Sequence, residues 1–443
     1  MAARKSSRRS TRAAAAGAGA GSLSSSIEAM LLAALDRGET SAETGRFLIT
    51  YKDNATDDGM QSLKAQGLRA ADARDFSDQA VSMMDVGDAD ALMFPEIGVA
   101  LVGGEAMRSR GMSVQSEIAA DSPIEAIEPE YFVFADSMPG DYLQGFIRAT
   151  ETIAKDLARF RGGQEPDEEE FEAQVLGATW GLVKCKVPPS LRSGVGIRVA
   201  VLDTGMDLGH PDFAGRLIVS QTFVGQPPQD LHSHGTHCIG TACGPKTPAG
   251  TTPRYGIAHK APIFAGKVLT NSGSGTTGSV LAGMNWAIAN KCVVISMSLG
   301  SQAPVQAAYT AAGNSALSKG CLIVAAAGNA GSNQPTGAPA NSPSIMAVAS
   351  LDANLNPSAF SCSGKIQIAA PGRDVYSSVP RPTRYGVKSG TSMATPHVAG
   401  CAALWAETSP NLRGMSLWNK LLQTAKPLAF PPARVGRGIV QAP

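Results

Sequence analysis

The sequence lacks a long apolar run and has almost no net charge. No stretch approaches the roughly 20 consecutive apolar residues that a membrane-spanning helix needs, so we expect no membrane span. The 38 basic and 37 acidic side chains leave a net charge of +1, which argues against nucleic acid or an anionic membrane surface as a partner. Only 17% of residues are charged and 48 are glycine, which indicates a globular α/β protein rather than a disordered or coiled-coil one.

Cysteine is also scarce, and a secretion signal is not evident. All seven cysteines lie between Cys185 and Cys401, and an odd number leaves at least one thiol free, so we predict no disulfide framework. A basic region at residues 4–12 precedes an alanine- and glycine-rich run at 13–21, an order found in disordered tails and in export signals. The absence of Leu, Ile or Phe before Leu23 favours the tail, and the compartment is left open.

The first third of the chain predicts a tail followed by a small α+β unit. Residues 26–37 have the apolar spacing of a short amphipathic helix, within a basic tail that we place at 1–44. Strand-like runs alternate with helix-compatible segments at 46–51, 56–66, 91–102, 104–110 and 123–135. We therefore predict an α+β unit over residues 45–136.

The rest of the chain predicts a connector and a larger α/β unit. Residues 137–178 indicate a charged helical connector, whose acidic run we interpret as a solvated face. Within residues 179–443, helix-compatible segments separate short apolar runs at 197–202, 263–269, 293–297, 322–327 and 345–349. Such runs are typical of parallel strands covered on both faces, so we predict a doubly wound, mostly parallel sheet. Functional residues should follow the carboxyl ends of its strands.

Asp203 and His234 are the first candidates for chemistry. Asp203 ends an apolar run, where an aspartate is more often a turn former or a helix cap than a catalyst. His234 lies in the sequence HSHGTH, whose histidines could ligate zinc, but no further ligand pattern accompanies them. A general base working near neutral pH is the better interpretation of His234. We interpret the other five of the six histidines as structural.

Ser392 and Asn329 supply the remaining groups that acyl transfer needs. Ser392 begins a segment with a helical apolar stripe, so its N–H would point outward at a helix N-terminus and could stabilise an oxyanion. It could equally be a simple helix cap. Asn329 stands in a glycine-flanked turn, where an Asn is usually a turn former, but its amide could be a second oxyanion donor. Four separate segments carrying the required residues favour the catalytic interpretation.

The motifs around these residues resemble those of the subtilase family. The order Asp, His, Ser and the sequences DTGMD at 203–207, HGTHC at 234–238 and GTSMATPHVAG at 390–400 carry the resemblance, which covers residues 179 to about 442. It implies a serine endopeptidase with Ser392 as nucleophile, His234 as general base and acid, and Asp203 as the carboxylate that fixes the histidine tautomer. Asn329 and the N–H of Ser392 would hold the oxyanion.

The resemblance also implies how substrate binds. Two edge segments, Ser274-Gly275 and Ser298-Leu299-Gly300, would clamp an extended polypeptide as an added strand, which reads the backbone and gives broad selectivity. Gly337 would form the floor of the main specificity pocket and leave room for a large apolar residue before the cut. We expect a monomer that needs no cofactor for its chemistry.

Residues 45–136 resemble the inhibitory propeptide of the family, though less specifically. The sequence IEPE at 127–130, near the end of this unit, is its most similar part. The resemblance implies a ferredoxin-like domain that helps the enzyme to fold and inhibits it until self-cleavage, and it implies export. About 40 residues separate this unit from Thr179, where the family has almost none, so we predict self-cleavage between Tyr131 and Thr179.

Calcium is implied only weakly. Asp212 matches a common ligand position of the family, and Ca²⁺ binds carboxylate and carbonyl oxygens. However, the loop that completes the strong site is replaced by residues 244–254, and Gln367 stands where an Asp ligand is common. A structural calcium ion is therefore neither required nor excluded, and Asp212 is a weak candidate ligand.

Two other functions stay open at this point. One is a catalytically silent relative that only binds peptides, although no member of the triad is lost. The other is a peptide ligase or cyclase, because an amine can replace water as the acceptor of an acyl-enzyme. Labelling of Ser392 by a fluorophosphonate tests the first, and product mass tests the second, since only hydrolysis adds water.

Overall fold

The computed structural model describes residues 23–36, 42–111, 121–135, 177–249 and 252–443. The predicted basic region before residue 23 and nearly all of the predicted connector lie outside the described residues. Within the described ranges, no helix has both the length and the apolar character needed to cross a membrane.

The N-terminal unit is a five-stranded sheet flanked by helices. Its elements are, in chain order, α1 (Ile27–Asp36), β1 (Glu43–Tyr51), α2 (Thr56–Ala65), β2 (Ala70–Asp72), β3 (Ala91–Phe94), β4 (Val99–Val102), α3 (Gly104–Ser109) and β5 (Ile124–Phe134). The strand order is β2-β3-β4-β1-β5, and only the β2–β3 pair is parallel. Apart from the short β2, the elements run strand, helix, two strands, helix, strand, which is the element order of a ferredoxin-like unit.

The apolar run at 91–102 is a hairpin of β3 and β4, with Phe94 opposite Val99. Pro95 has no N–H for a ladder, and Gly98 adopts a φ of +65°, a left-handed conformation that glycine reaches without steric cost. The interruption by Pro95 and Gly98 in the sequence therefore marks the turn. Every residue of both strands is buried.

The second unit is built on seven parallel strands. Its elements are α4 (Trp180–Lys184), β6 (Val199–Asp203), β7 (Ile218–Thr222), α5 (His234–Cys243), β8 (Ile263–Lys267), β9 (Ser274–Thr276), α6 (Thr277–Ala289), β10 (Val294–Met297), α7 (Ala307–Ser318), β11 (Leu322–Ala326), β12 (Met346–Leu351), β13 (Ile368–Pro371), β14 (Val375–Ser378), β15 (Tyr385–Lys388), α8 (Thr391–Thr408), α9 (Gly414–Thr424) and α10 (Pro432–Val435). The large sheet has the order β13-β12-β11-β10-β6-β8-β7, and every pairing in it is parallel. The predicted parallel α/β fold is confirmed. β14 and β15 form a separate antiparallel hairpin.

Both faces of the large sheet are buried, as its unbroken apolar strands predict. In β6, Val199 and Val201 face a core that includes α5 and α8, whereas Ala200 and Leu202 face a core that includes α6 and α7. Each strand therefore contributes apolar side chains in both directions, and polar residues are left to the strand ends.

The N-terminal unit packs on the face of the large sheet that α6 and α7 cover. It also pairs with a strand of the second unit. Leu101 of β4 lies in the same apolar cluster as Leu281 of α6 and Ala308 of α7. In addition, β5 pairs antiparallel with β9, so that Phe134 lies opposite Ser274. The first sheet thus gains one strand from the second unit.

Candidate active site

The predicted site residues meet at the carboxyl edge of the large sheet. Asp203 is the last residue of β6, Ser298 directly follows β10, and Asn329 follows β11 by three residues. β6, β10 and β11 are neighbours and run parallel, so their carboxyl ends lie side by side. This edge gathers groups that are far apart in the sequence.

Asp203 and His234 form a buried pair. His234 is the first residue of α5, and its Nδ1 lies 2.7 Å from Oδ1 of Asp203. Burial by itself would lower the pKa of His234, but the adjacent carboxylate raises it well above the ordinary value. For Asp203, burial opposes ionisation, yet the imidazole and the N–H of Thr204 bring its pKa below the ordinary range. The pair therefore favours a proton on the ring.

A second buried aspartate, Asp230, fixes the start of α5. Its Oδ1 accepts hydrogen bonds from the N–H groups of His232 and Ser233, each at 2.9 Å. Its Oδ2 accepts from the N–H and the hydroxyl of Thr236, at 2.9 and 2.7 Å. Ser233 has a φ of +80°, a conformation that costs energy for a residue with a side chain. Asp230 thus stabilises both the strained turn and the unpaired N–H groups of the helix.

Thr204 connects this cap to the catalytic pair. Its hydroxyl donates to Oδ1 of Asp230 at 3.0 Å and accepts from the N–H of Gly235 at 2.9 Å. Its own N–H donates to Oδ1 of Asp203 at 2.7 Å. One side chain therefore fixes the end of β6 against the start of α5, which sets the position of Asp203 relative to His234.

The buried Lys267 interacts electrostatically with the carboxylates of Asp203 and Asp230. The Nζ of Lys267 donates to the carbonyl of Thr204 and, at 2.8 Å, to Oδ1 of Asn271. Burial lowers the pKa of Lys267 to about 8, while Asp230 and Asp203 act in the opposite direction. A cation next to two buried anions reduces the cost of desolvating all three groups.

Ser392 is the second residue of α8 and lies at the same carboxyl edge of the large sheet. Its Oγ donates to the carbonyl of Ala135 at 3.1 Å and lies 3.3 Å from the carbonyl of Ser298. Among the described residues, Nε2 of His234 has no hydrogen-bond partner. The hydroxyl of Ser392 therefore bonds to the end of the N-terminal unit in place of the imidazole.

Asn329 is held by the first turn of α8. Its Oδ1 accepts from both the N–H and the hydroxyl of Thr391, each at 2.8 Å. This fixes the amide with Nδ2 as its donor end, close enough to Gly390 that a Cβ there would lie 3.3 Å from Nδ2. A donor amide beside the N–H of Ser392 has the arrangement needed to hold an oxyanion.

The predicted substrate segments form the walls of a cleft that β5 occupies. Ser274 and Gly275 belong to β9, which pairs with β5, and Gly300 exchanges two hydrogen bonds of 3.0 Å with Phe134. Leu299 is buried between these edges. The cleft thus holds an extended chain as a strand between its two walls.

Two positions near the cleft must be glycine, because the backbone of a neighbouring segment lies too close for a Cβ atom. A Cβ on Gly300 would lie 2.7 Å from the carbonyl oxygen of Ala338, and a Cβ on Gly337 would lie 2.4 Å from that of Ser301. Both distances are below van der Waals contact, so a side chain at either position would push apart the two segments that border the cleft.

Asp212, the candidate calcium ligand, does not fit a calcium site. Its Oδ2 accepts a hydrogen bond of 2.5 Å from the hydroxyl of Tyr255, and both of its oxygens lie 3.1 Å from the hydroxyl of Tyr385. The phenols donate their protons to this carboxylate, as the raised pKa of Tyr255, through burial and then Asp212, also indicates. Ca²⁺ binds the lone pairs of several oxygens at once, and among the described residues Asp212 belongs to no group of three metal-ligating side chains.

One group of three metal-ligating side chains occurs in the described residues, and it is the catalytic pair with Cys238. The Sγ of Cys238 lies 3.9 Å from Nδ1 of His234 and 3.6 Å from the carbonyl of Ser392. Burial raises the pKa of Cys238, which keeps it a neutral thiol. All seven cysteines are free and buried.

The sequence analysis missed Asp230, Thr204 and the residues that attach the N-terminal unit. The available signal for Asp230 was its position four residues before His234, with a threonine two residues after the histidine. That spacing resembles a capping arrangement, in which a side-chain oxygen accepts from N–H groups in the first turn of a helix.

Known proteins resemble the part of the chain that holds this site. A sequence model of the subtilase family matches residues 194–438. Thermitase from Thermoactinomyces vulgaris is 43% identical over 232 residues, which cover 51% of this chain and 81% of that protein. Subtilisin Savinase from Lederbergia lenta is 40% identical over 269 residues, covering 59% of this chain and 96% of that protein. The solved structure of sphericase aligns with a TM-score of 0.54 and 34% identity, over 60% of this chain and 98% of that one.

Proposed function

The chain belongs to the subtilase family and is a serine endopeptidase, and from this premise we propose that it is made as an autoinhibited zymogen that cleaves itself. The N-terminal unit over residues 45–136 is the inhibitor. The observation that carries the proposal is β5, which lies in the cleft as an added strand and is followed directly by Ala135, whose carbonyl accepts from the hydroxyl of Ser392.

Hydrolysis proceeds through an acyl-enzyme on Ser392. His234 takes the hydroxyl proton as the serine attacks and returns it to the leaving amine, while Asp203 holds the ring by Nδ1. Asn329 and the N–H of Ser392 hold the oxyanion, and removing one such donor typically costs about 3 kcal/mol of transition-state stabilisation. A second cycle, with water in place of the amine, frees the serine.

In the inhibited state the catalytic hydrogen bond from Ser392 to His234 is replaced. The hydroxyl donates to Ala135, and the pKa of His234 is raised by Asp203 in a cleft that β5 closes to water. A hydroxyl that donates to Ala135 is not directed at His234, so this arrangement disfavours attack. Departure of β5 would free the hydroxyl of Ser392 to donate to Nε2 of His234, which has no partner among the described residues.

Two glutamates of β5 attach the inhibitor to the enzyme. Glu130 accepts a hydrogen bond of 2.8 Å from the N–H of Gly278 in the first turn of α6. Glu128 accepts bonds of 2.9 and 2.8 Å from the N–H groups of Ala307 and Ala308 at the start of α7. Carboxylates at helix N-termini satisfy unpaired N–H groups and interact favourably with the helix dipole.

Helix α1 adds a layer over the inhibitory strand. Its Ile27, Met30 and Leu31 pack on the buried ring of Phe132 in β5, and Glu28 accepts a hydrogen bond of 3.3 Å from Gln226 in the second unit. This helix, which the sequence indicated as an accessory element, thus contacts both units and supports a tightly held inhibitor.

Self-cleavage is tested with purified full-length chains. The unchanged chain should lose its N-terminal unit, with a new N-terminus between residues 136 and 179, whereas Ser392→Ala should stay at full length by intact mass. Ser389→Ala is the matched control, because Ser389 is a neighbouring serine that bonds only to Asp374, and it should be processed normally. Trimming of purified Ser392→Ala at the rate of the unchanged chain would exclude self-cleavage. Fluorophosphonate labelling of the same proteins tests whether Ser392 is the nucleophile.

The mature enzyme should accept many extended polypeptides and prefer a large apolar residue before the cut. Backbone pairing at Ser274, Gly275 and Gly300 supports broad selectivity, and the preference before the cut follows from the family resemblance, which places Gly337 at the floor of the main pocket. A profile from a peptide library is the measurement. A preference for small or acidic residues before the cut would overturn this assignment.

A further inference from the structure

The ammonium group of Lys365 lies in a cradle of backbone carbonyls. Its Nζ donates to the carbonyl oxygens of Ala340 at 2.7 Å and Ser342 at 2.5 Å, and also to that of Ile345. All three carbonyls belong to the segment that follows Gly337. This segment is on one side of the cleft, whereas Lys365 comes from a later part of the chain, just before β13.

Three acceptors around one nitrogen require the charged form of lysine. An ammonium group has three N–H donors, whereas a neutral amine has two and would direct its lone pair at the third oxygen. Burial alone lowers the pKa of Lys365 to about 7, and no carboxylate of the described residues opposes that shift. The three carbonyl dipoles act in the other direction and favour the cation.

Converging carbonyl oxygens are also the ligands that hard metal cations bind. Calcium and sodium take backbone carbonyls together with water and carboxylates. The nearby Gln367, at a position where an Asp ligand was expected from the family, accepts from the N–H of Ala347 at 2.7 Å. The carboxylate that a metal would need is therefore absent from this position, and a lysine charge is present in its place.

We propose that the carbonyls of Ala340, Ser342 and Ile345 form a cation site whose built-in occupant is the Lys365 ammonium, and that removing this side chain opens the site to a free metal cation. The segment after Gly337, which borders the cleft, is then held in place by the positive charge of Lys365.

The test compares Lys365→Ala, Lys365→Met and Lys260→Ala, each in the full chain carrying Ser392→Ala to prevent self-digestion. Lys260 is an exposed lysine and serves as the matched control. Thermal unfolding is followed in a buffer with choline as the only added cation, and then with calcium chloride or sodium chloride. A calcium concentration of about 10 mM exceeds the Kd of weak protein calcium sites.

Lys365→Ala should lose roughly 5 °C or more in Tm without metal and regain about 3 °C with calcium, beyond any change in the parent. Lys365→Met should lose stability without regaining it, because its side chain fills the cradle. Lys260→Ala should match the parent throughout. Calorimetric titration should give one more bound calcium per chain for Lys365→Ala than for the parent.

Two results would overturn the proposal. One is an unchanged Tm for Lys365→Ala in choline buffer, which would mean that the ammonium does not hold the segment. The other is a loss of Tm that neither calcium nor sodium restores beyond the parent's response, which would mean that the cradle is not a cation site. Should Lys365→Ala fail to fold without metal, the same criteria apply to its folded yield with and without calcium, and Lys365→Arg, which keeps the charge, should fold without it.

Discussion

Two regions of the molecule place a carboxylate at the start of a helix, with different consequences. In the second unit, Asp230 caps the helix that carries His234, and both groups belong to the same folded unit. In the N-terminal unit, Glu130 and Glu128 cap α6 and α7 from outside. The first cap is permanent, whereas the second pair leaves if the inhibitor leaves.

The difference teaches where the second unit depends on its inhibitor. Among the described residues, α7 has no side-chain cap from its own unit, and α6 has only the capping box of Thr276 and Ser279. When β5 leaves, the N–H groups of Ala307 and Ala308 must turn to water. The catalytic helix keeps all of its partners, so its geometry should survive maturation while the two outer helices lose support.

The largest expected effect comes from removing the permanent cap. Asp230→Ala leaves five donors without their acceptor in a buried site, and should lower the free energy of unfolding by about 3–5 kcal/mol. Because Ser233 and His234 would lose their fixed turn, kcat/KM on a peptide substrate should also fall more than tenfold. Chemical denaturation and steady-state kinetics are the measurements. Asp352→Ala, which removes a half-buried turn aspartate, is the control and should change kcat/KM by less than twofold.

The next effect comes from the inhibitor side, at Glu130. This carboxylate is fully buried, pairs with the buried Arg46 at 2.6 Å and accepts from Thr44 and Gly278. Glu130→Gln leaves the guanidinium without its counter-charge, at a cost of about 3 kcal/mol, and should weaken binding of the cleaved inhibitor about 100-fold. The measurement is the lag between self-cleavage and full activity, which should shorten. Glu105→Gln, an exposed glutamate of the same unit, should keep the original lag.

A smaller effect is expected at Glu128. Glu128→Gln keeps one acceptor oxygen for the start of α7 and loses the other, so about 1 kcal/mol, or roughly fivefold in affinity, should be lost. The lag should shorten less than for Glu130→Gln. A lag as short as that of Glu130→Gln would show that the Arg46 pair adds little, and that the helix caps dominate the attachment.

The smallest effect is a pH dependence of inhibitor release. Burial raises the pKa of Glu128 above its ordinary value of 4.5, and the two N–H donors offset only part of this. The bound unit therefore holds its proton more readily than the released one, so binding is tightest below the ordinary pKa and weakens as pH rises through the raised value. Cleaved chains incubated at several pH values and assayed at one pH should show faster release at the higher values. Glu128→Gln should flatten that trend.

The catalytic groups could be predicted because each lies next to a local pattern. Asp203 ends an apolar strand, Ser392 lies near a glycine at a helix start, and Asn329 stands in a glycine turn. The sequence alone therefore indicated which strand ends and which helix start carry the site residues. The five apolar runs of the second unit all became strands of one parallel sheet. Periodicity is a local property, and it predicted the local elements well.

The groups that depend on distant partners could not be predicted. Arg46 and Glu130 are 84 residues apart, and Glu128 lies 179 residues before Ala307, so nothing in the neighbouring sequence indicates either contact. Nothing in the sequence distinguishes Lys365, because its acceptors are backbone carbonyls that any residue would provide. Asp212 was a weak candidate for a calcium ligand, and nothing in its neighbouring sequence indicates its contacts with Tyr255 and Tyr385.

The position of α8 near the end of the chain also orders events in time. Ser392 follows His234 by about 160 residues, so at roughly 5–20 residues per second a ribosome adds the nucleophile roughly 10–30 s after the base. The N-terminal unit precedes both. During synthesis, the strand that fills the cleft is therefore made before Ser392, so it can occupy the cleft as soon as the site is complete.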